Sequence, residues 1–164
     1  MEEMKPIKRS KELAPLSREH HDGLLFSWKL KQGLANGTPI DTLAKYALWY
    51  WTNHIKAHFR DEEKVLARFL PANDPLVHQM FREHTQIRDL IISLDKEASI
   101  NSIQLLAEFV SNHIRFEERK LFVHAEQVLT PAQLEEIYKE LPDALHCDTG
   151  SVADGWKDEF WVKK

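Results

Sequence analysis

The chain has 164 residues, of which 43% are hydrophobic and 29% charged, and this composition is typical of one soluble globular domain rather than of a disordered chain. Its formal net charge of -4 argues against nucleic acid as a partner. Cys147 is the single cysteine, so an intrachain disulfide and a cysteine-rich zinc site are excluded. No apolar run is long enough for a membrane span and no signal peptide is visible. We therefore expect a cytoplasmic protein with no membrane partner.

Five helices are predicted from apolar residues spaced by three and four and from helix start signals. Allowing a few residues at each end, they cover residues 15–34, 39–70, 75–97, 101–128 and 131–141. Three of them begin at a capping side chain followed by proline: Thr38-Pro39, Asp74-Pro75 and Thr130-Pro131. No segment alternates as a strand would. The expected fold is all-α, an up-down-up-down antiparallel four-helix bundle with a short fifth helix and a C-terminal tail.

Three regions are expected along the chain: a charged N-terminal segment at 1–14, the bundle at 15–141 and the tail at 142–164. The tail carries an aromatic cluster of Trp156, Phe160 and Trp161. We favour a strap that covers apolar surface of the bundle. The alternative is a docking segment for a partner protein or for the second subunit of a homodimer.

A nine-residue motif occurs twice: the residues from His58 to Leu66 recur, with five identities, at 113–121. In each copy a histidine and a glutamate lie four residues apart, hence on one helix face, and the apolar residues before them place that face toward the core. A buried carboxylate costs several kcal/mol unless it is paired or bound to metal. Two such pairs, rather than ordinary surface pairs, predict two metal ions bridged by Glu62 and Glu117.

Lone histidines on the first and third helices supply the remaining candidate ligands. His84 shares an apolar stripe with Ile87 and Ile91 and should face the same core. His20 and His21 compete on the first helix: His20 shares the string Arg-Glu-His with residues 82–84, whereas His21 has apolar residues three, four and seven positions later. We favour His21. Glu63 and Glu118 point about 100° away from the paired glutamates and are expected to be solvated or to support a ligand.

These motifs resemble the hemerythrin-like family of cation-binding bundles, over about residues 16–128. The sequence carries Arg-Glu-His-His from residue 18, His-Phe-x-x-Glu-Glu-x-x-Leu from 58, Glu-His-x-x-Ile from 83 and His-Ile-x-x-Glu-Glu-x-x-Leu-Phe from 113. The resemblance implies a non-haem di-iron site in a four-helix bundle, with an oxo or hydroxo bridge and two bridging carboxylates. Carried over position by position, the metal ligands would be His21, His58, Glu62, His84, His113 and Glu117.

The sequence departs from the oxygen-carrying hemerythrins at two positions. On the third helix they have a second histidine four residues after the first, and Arg88 stands at that position here. Their last motif is His-x-x-x-x-Asp, whereas this sequence has His-x-x-x-Glu, formed by His113 and Glu117. The site thus resembles the four-histidine branch, which includes bacterial proteins that repair iron centres and eukaryotic iron-sensing domains. Water, substrate, His54 or His20 would replace the missing ligand.

The other histidines are given lesser roles. His54 lies one turn before His58 and is expected to support a ligand rather than bind metal. His124 is expected to be structural, and His78 and His146 to be surface or capping residues.

Histidine and carboxylate ligands suit iron or manganese and tolerate zinc, so two iron ions are the expected cofactors. A mostly apolar lining, predicted to include Tyr50, Ile87, Phe116, Trp28 and Trp51, favours reversible binding over oxygenase chemistry. We expect a protein that binds or senses dioxygen or nitric oxide, rather than a catalyst. The alternatives are iron handling or repair of damaged iron centres, and an interaction module that the metal only stabilises.

Overall fold

The computed structural model describes residues 8–142 and 156–163, which form five helices. They are α1 (Ala14–Ala35), α2 (40–69), α3 (Pro75–Lys96), α4 (100–128) and α5 (Pro131–Glu140). The all-α prediction is confirmed, and each helix begins and ends within a residue of its predicted bounds. The predictions for residues 1–7, for His146 and for most of the tail lie outside the described residues.

Two of the three predicted start signals act as caps. The Asp74 carboxylate accepts a hydrogen bond from the backbone N–H of Leu76 at 2.9 Å. Thr130 and Gln133 form a reciprocal capping box at the start of α5. Thr38 does not cap α2, because the helix begins at Ile40 with the extended Pro39 as its flanking residue.

Helices α2 and α4 contain π-helical turns, at Trp51–Ile55 and Glu62–Leu66 in α2 and at Glu117–Leu121 in α4. Such turns insert one extra residue into the helical repeat and are frequent at functional sites. Two of the three begin at Glu62 and Glu117, the glutamates of the repeated motif.

The core consists of two hydrophobic clusters. One includes Phe26, Tyr46, Ile91 and Leu106, and the other includes Leu16, Leu66, Met80 and Phe122. Along each long helix the buried histidines and glutamates of the repeated motifs lie where one cluster gives way to the other. Polar side chains therefore occupy the middle of an otherwise apolar interior.

The described part of the tail packs on the bundle. Phe160 is buried against α1 and α2, and its ring lies edge-on to Tyr46 with 5.0 Å between centroids. Gly33 makes room for it, since a Cβ at this position would lie 2.8 Å from the Phe160 ring. Lys29 extends its ammonium over the Trp161 ring at 3.9 Å. The described residues 156–163 thus cover apolar surface of α1 and α2.

No helix within the described ranges has both the length and the apolar character needed to cross a membrane.

Candidate metal centre

Six buried side chains converge between the two hydrophobic clusters. They form two overlapping sets of ligand atoms, and within each set all atoms lie within 4.8 Å of one another. The carboxylates shared by both sets are Glu62 and Glu117, each 0% exposed. His20 and His58 complete one set, and His84 and His113 complete the other.

The atoms that face the centre lack hydrogen-bond partners within the described part of the chain. They include Nε2 of His58, His84 and His113 and three of the four carboxylate oxygens of Glu62 and Glu117. These nitrogens lie close to the carboxylates, with 3.2 Å between His84 Nε2 and Glu62 Oε1, yet without hydrogen-bond geometry. His20 Nε2 is the exception, at 3.0 Å from Glu117 Oε1. Buried polar atoms seldom remain unpaired, so the donor set fits bound cations.

The opposite nitrogen of each histidine is bound to a further glutamate. His58 Nδ1 lies 2.8 Å from Glu19, and His84 Nδ1 lies 2.7 Å from Glu63. The other two contacts, each 2.8 Å, join His113 Nδ1 to Glu83 and His20 Nδ1 to Glu118. A carboxylate that accepts from Nδ1–H fixes the ring orientation and leaves Nε2 free to bind metal.

This outer set of glutamates was only partly anticipated from the sequence. Glu63 and Glu118 do support a histidine, as one of the two expectations for them stated. Glu19 and Glu83 were missed, although both belong to the Arg-Glu-His strings that the first and third helices share. The repeated Arg-Glu-His string is the feature of the sequence from which these two glutamates could have been predicted.

The buried histidines and glutamates of the cluster shift one another's pKa values. Burial lowers the pKa of His58, but the charge of Glu62 and the hydrogen bond with Glu19 outweigh it and raise the pKa to about 10. For His113, burial is likewise outweighed by Glu117, and the pKa rises to about 9. Burial would raise the pKa of Glu62, yet the facing histidines hold it well below its usual range. Without metal, the histidines themselves therefore carry the positive charge that the buried carboxylates require.

On α1 the structure places His20, not His21, in the cluster. His20 is 3% exposed, whereas the side chain of His21 is exposed to solvent. The buried face of α1 runs through Leu16, His20, Gly23 and Ser27. Of these four residues only Leu16 is a large apolar residue, so apolar periodicity alone favoured the wrong neighbour. The expectation that His21 faces the core is corrected, and the other five predicted residues are all brought together.

The remaining histidines of the described residues lie outside both ligand sets. His54 is half-buried and contacts the rings of Trp49 and Tyr50. His124 Nε2 lies 2.6 Å from the capping carboxylate of Asp74, in agreement with a structural role. His78 is exposed and bonds the carbonyl of Ala72 at the start of α3.

A cavity of about 30 Å³ borders the cluster on the side of three of its histidines, His20, His58 and His113. Its walls include the predicted Tyr50 and Ile87, together with Val110 and Ile114. Trp28 and Trp51 do not line it: Trp28 is 46% exposed, and Trp51 lies in a surface groove. Tyr50 is deeply buried, and this desolvation raises the pKa of its hydroxyl, which stays protonated and able to donate.

A family model for the hemerythrin HHE cation-binding domain matches residues 16–125, about two-thirds of the chain. The chain belongs to this hemerythrin family. The matched range contains all six clustered side chains and the four outer glutamates. Neither the curated proteins nor the solved structures that were compared include a match. Membership in the hemerythrin family and the convergent histidines and glutamates together identify a cation-binding helical bundle.

Proposed function

We propose that this hemerythrin-family protein is a non-haem di-iron protein that binds or senses dioxygen or nitric oxide. The observation that carries the proposal is the sharing of Glu62 and Glu117 by two sets of histidines. Two carboxylates common to two ligand sets are suited to bridging two ions, with two histidines on each. Iron pairs held in this way would supply open coordination positions for a diatomic ligand; manganese and zinc are the alternative metals.

The ligand set of this proposal is His20, His58 and Glu62 with His84, His113 and Glu117. His20 replaces His21 because only His20 reaches the shared carboxylates. Each Nε2 is preoriented by an outer glutamate, so the site needs little rearrangement to accept an ion.

The cavity supports a small ligand. A buried water needs roughly 10–15 Å³ of such space, so about 30 Å³ admits a diatomic molecule and excludes most organic substrates. The apolar walls formed by Ile87 and Val110 disfavour water and charged intermediates. Tyr50 is the neighbouring hydroxyl that would donate a hydrogen bond to a ligand in the cavity.

For the topology of the bundle and for its cellular location, we propose what the sequence predicts. The two hydrophobic clusters alternate in order along successive helices, from Leu16 toward Leu30 in α1 but from Leu43 toward Leu66 in α2. That alternation supports an up-down-up-down antiparallel bundle spanning 15–141. We also propose a cytoplasmic protein that needs no nucleic acid or membrane partner.

Optical spectra of the aerobic, iron-loaded protein test this function. We expect oxo-to-ferric charge-transfer bands that change on adding azide or nitric oxide. The variant His84→Ala should lose these bands, whereas His78→Ala, which alters a histidine outside the cluster, should keep them. A site that fills only with zinc and folds normally would contradict the proposal and favour an interaction module.

Iron handling is distinguished by a second readout. If iron leaves the protein readily and restores an apo iron-sulfur protein, while azide and nitric oxide leave the spectrum unchanged, the repair alternative replaces the diatomic-ligand proposal.

A further inference from the structure

A groove on the outer surface of α2 and α3 is strongly basic. Its lining includes Trp51, Lys56, Arg60, Lys64, Arg88 and Ile92, and we refer to these six residues as the basic groove. Glu63 is the one acidic residue in the lining, and its carboxylate bonds His84 Nδ1. The chain as a whole has a net charge of -4, so this face opposes the overall charge.

The spacing of the cations is unfavourable for the helix itself. Lys56, Arg60 and Lys64 repeat every four residues on one face, where like charges repel by a few tenths of a kcal/mol per pair. In the part of the chain that the structure describes, neither lysine of this trio forms an ion pair. The two arginines of the groove form long ion pairs, Arg60 with the adjacent Asp61 at 3.7 Å and Arg88 with Glu63 at 3.8 Å. This arrangement is electrostatically complementary to an acidic partner surface.

Aromatic rings connect the groove to the candidate metal centre. The Trp51 ring lies 5.7 Å from the Phe59 ring, centroid to centroid. Phe59 in turn stacks on His84 at 3.7 Å and meets His113 edge-on at 5.6 Å. His84 and His113 belong to the same ligand set. One buried ring thus links a groove tryptophan to both histidines of one ion position.

We propose that the basic groove docks a one-electron donor protein with an acidic face, and that the electron enters through Trp51 and Phe59. This inference rests on the proposed iron site. The donor would lose one electron, and the iron ion that His84 and His113 would hold would take it up and change from ferric to ferrous. No covalent bond forms or breaks in this step. The electron crosses a short, packed path of rings instead of solvent.

Docking is tested without metal, so that it does not depend on the proposed function. An acidic flavodoxin serves as the probe, and backbone NMR shifts of the metal-free protein are followed during its addition. We expect shifts at 51–64 and 88–92 that disappear at high salt. The double variant K56E/K64E should associate at least about tenfold more weakly, whereas K31E/K120E, which makes the same change in net charge at exposed lysines elsewhere, should bind normally. Equal loss in both variants, or shifts elsewhere, would overturn the docking site.

The electron path is tested on the iron-loaded protein by stopped-flow reduction. With the flavodoxin probe, Trp51→Leu should slow reduction of the iron, while Trp28→Leu, at an exposed tryptophan outside the groove, should not. Hydroquinone, which is small and uncharged, should reduce both variants at the parent rate, which shows that the site is intact. Equal rates for parent and Trp51→Leu with the probe would refute the path.

Docking to a protein that takes up no iron would refute the electron role and the proposed function together, yet leave the groove as a binding surface.

Discussion

Glu19 Oε1 lies 2.8 Å from Nδ1 of His58 on the following helix, and this relation repeats around the bundle. A glutamate of α2 supports the histidine of α3, one of α3 supports that of α4, and one of α4 supports that of α1. Each of the four long helices therefore supplies one outer glutamate, and its own histidine contacts an outer glutamate of a neighbouring helix. Because all four contacts use Nδ1, all four Nε2 atoms are directed to the shared carboxylates.

Removing one outer glutamate should weaken metal binding without removing a ligand. For Glu83→Ala we expect a loss of roughly 10–100-fold in affinity, measured by metal competition, because the His113 ring loses its orientation and its basicity. Glu83→Gln retains an acceptor and should lose less. The control Glu136→Gln alters an exposed glutamate of α5 and should bind as the parent does. Equal affinities for Glu83→Ala and the control would show that the outer glutamates do not tune the site.

The neighbouring histidines of α1 offer a matched comparison. His20→Ala should reduce the bound metal from two ions per chain toward one, since His20 contacts both shared carboxylates at 3.0 and 3.4 Å. His21→Ala should leave the stoichiometry unchanged, because that side chain is in solvent. Metal analysis of both variants checks this prediction. The opposite pattern would restore His21 as the ligand.

Stability of the metal-free protein should fall at high pH. The pKa of His58 is raised from 6.5 to about 10 and that of His113 to about 9, so their protonation stabilises the fold fully below 6.5. This contribution is lost as pH rises through about 9 to 10. At the acidic end, burial would raise the pKa of Glu118, but its hydrogen bonds with His20 and Ser17 and the charges of His20 and Arg9 together lower it from 4.5 to about 2. Its contribution is present above pH 4.5 and is lost as pH falls toward 2. The metal-free protein should therefore be most stable between about pH 4.5 and 6.5.

Bound metal should raise the stability of the protein most at high pH, where the buried histidines no longer carry stabilising protons. At a free metal concentration about a thousandfold above the dissociation constant, binding adds roughly 4 kcal/mol to the free energy of unfolding. Metal binding displaces the Nε2 protons, so the difference in melting temperature between loaded and metal-free protein should grow from pH 6.5 to 9. Thermal unfolding at several pH values measures it. A difference that shrinks with pH would mean that metal and protons do not compete for these histidines.

The tail should contribute to stability. Phe160→Ala removes a buried ring that packs against Tyr46 and Gly33, and we expect a loss of about 3–5 kcal/mol in the free energy of unfolding. Val162→Ala changes an exposed side chain of the same segment and should cost little. Chemical denaturation compares the two. If both variants unfold like the parent, the tail does not act as a strap.

Much of the fold was readable from the sequence because its determinants are local. Asp74 and Thr130 cap their helices through neighbours two or three residues away, and apolar spacing located all five helices. The repeated His-x-x-x-Glu motif works for the same reason, since its two members share one turn of one helix.

The errors concern one buried helix face that is not apolar and contacts between residues of different helices. Gly23 and Ser27 belong to the buried face of α1 without being apolar, and this hid the stripe that contains His20. The partner of Glu19 is 39 residues away and that of Glu83 is 30 residues away, so no periodicity within one helix could identify them. The π-helical turns that begin at Glu62 and Glu117 were not predicted either, because apolar spacing by three and four indicates a regular α-helix.

In the proposed di-iron site, two metal ions neutralise the buried carboxylates of Glu62 and Glu117. Metal content of the protein purified from its own host tests it most directly. We predict two iron ions per chain, and none retained when Glu62 and Glu117 are both changed to glutamine. A native protein that contains no metal, or one that holds metal equally well without these two carboxylates, would refute the proposed site.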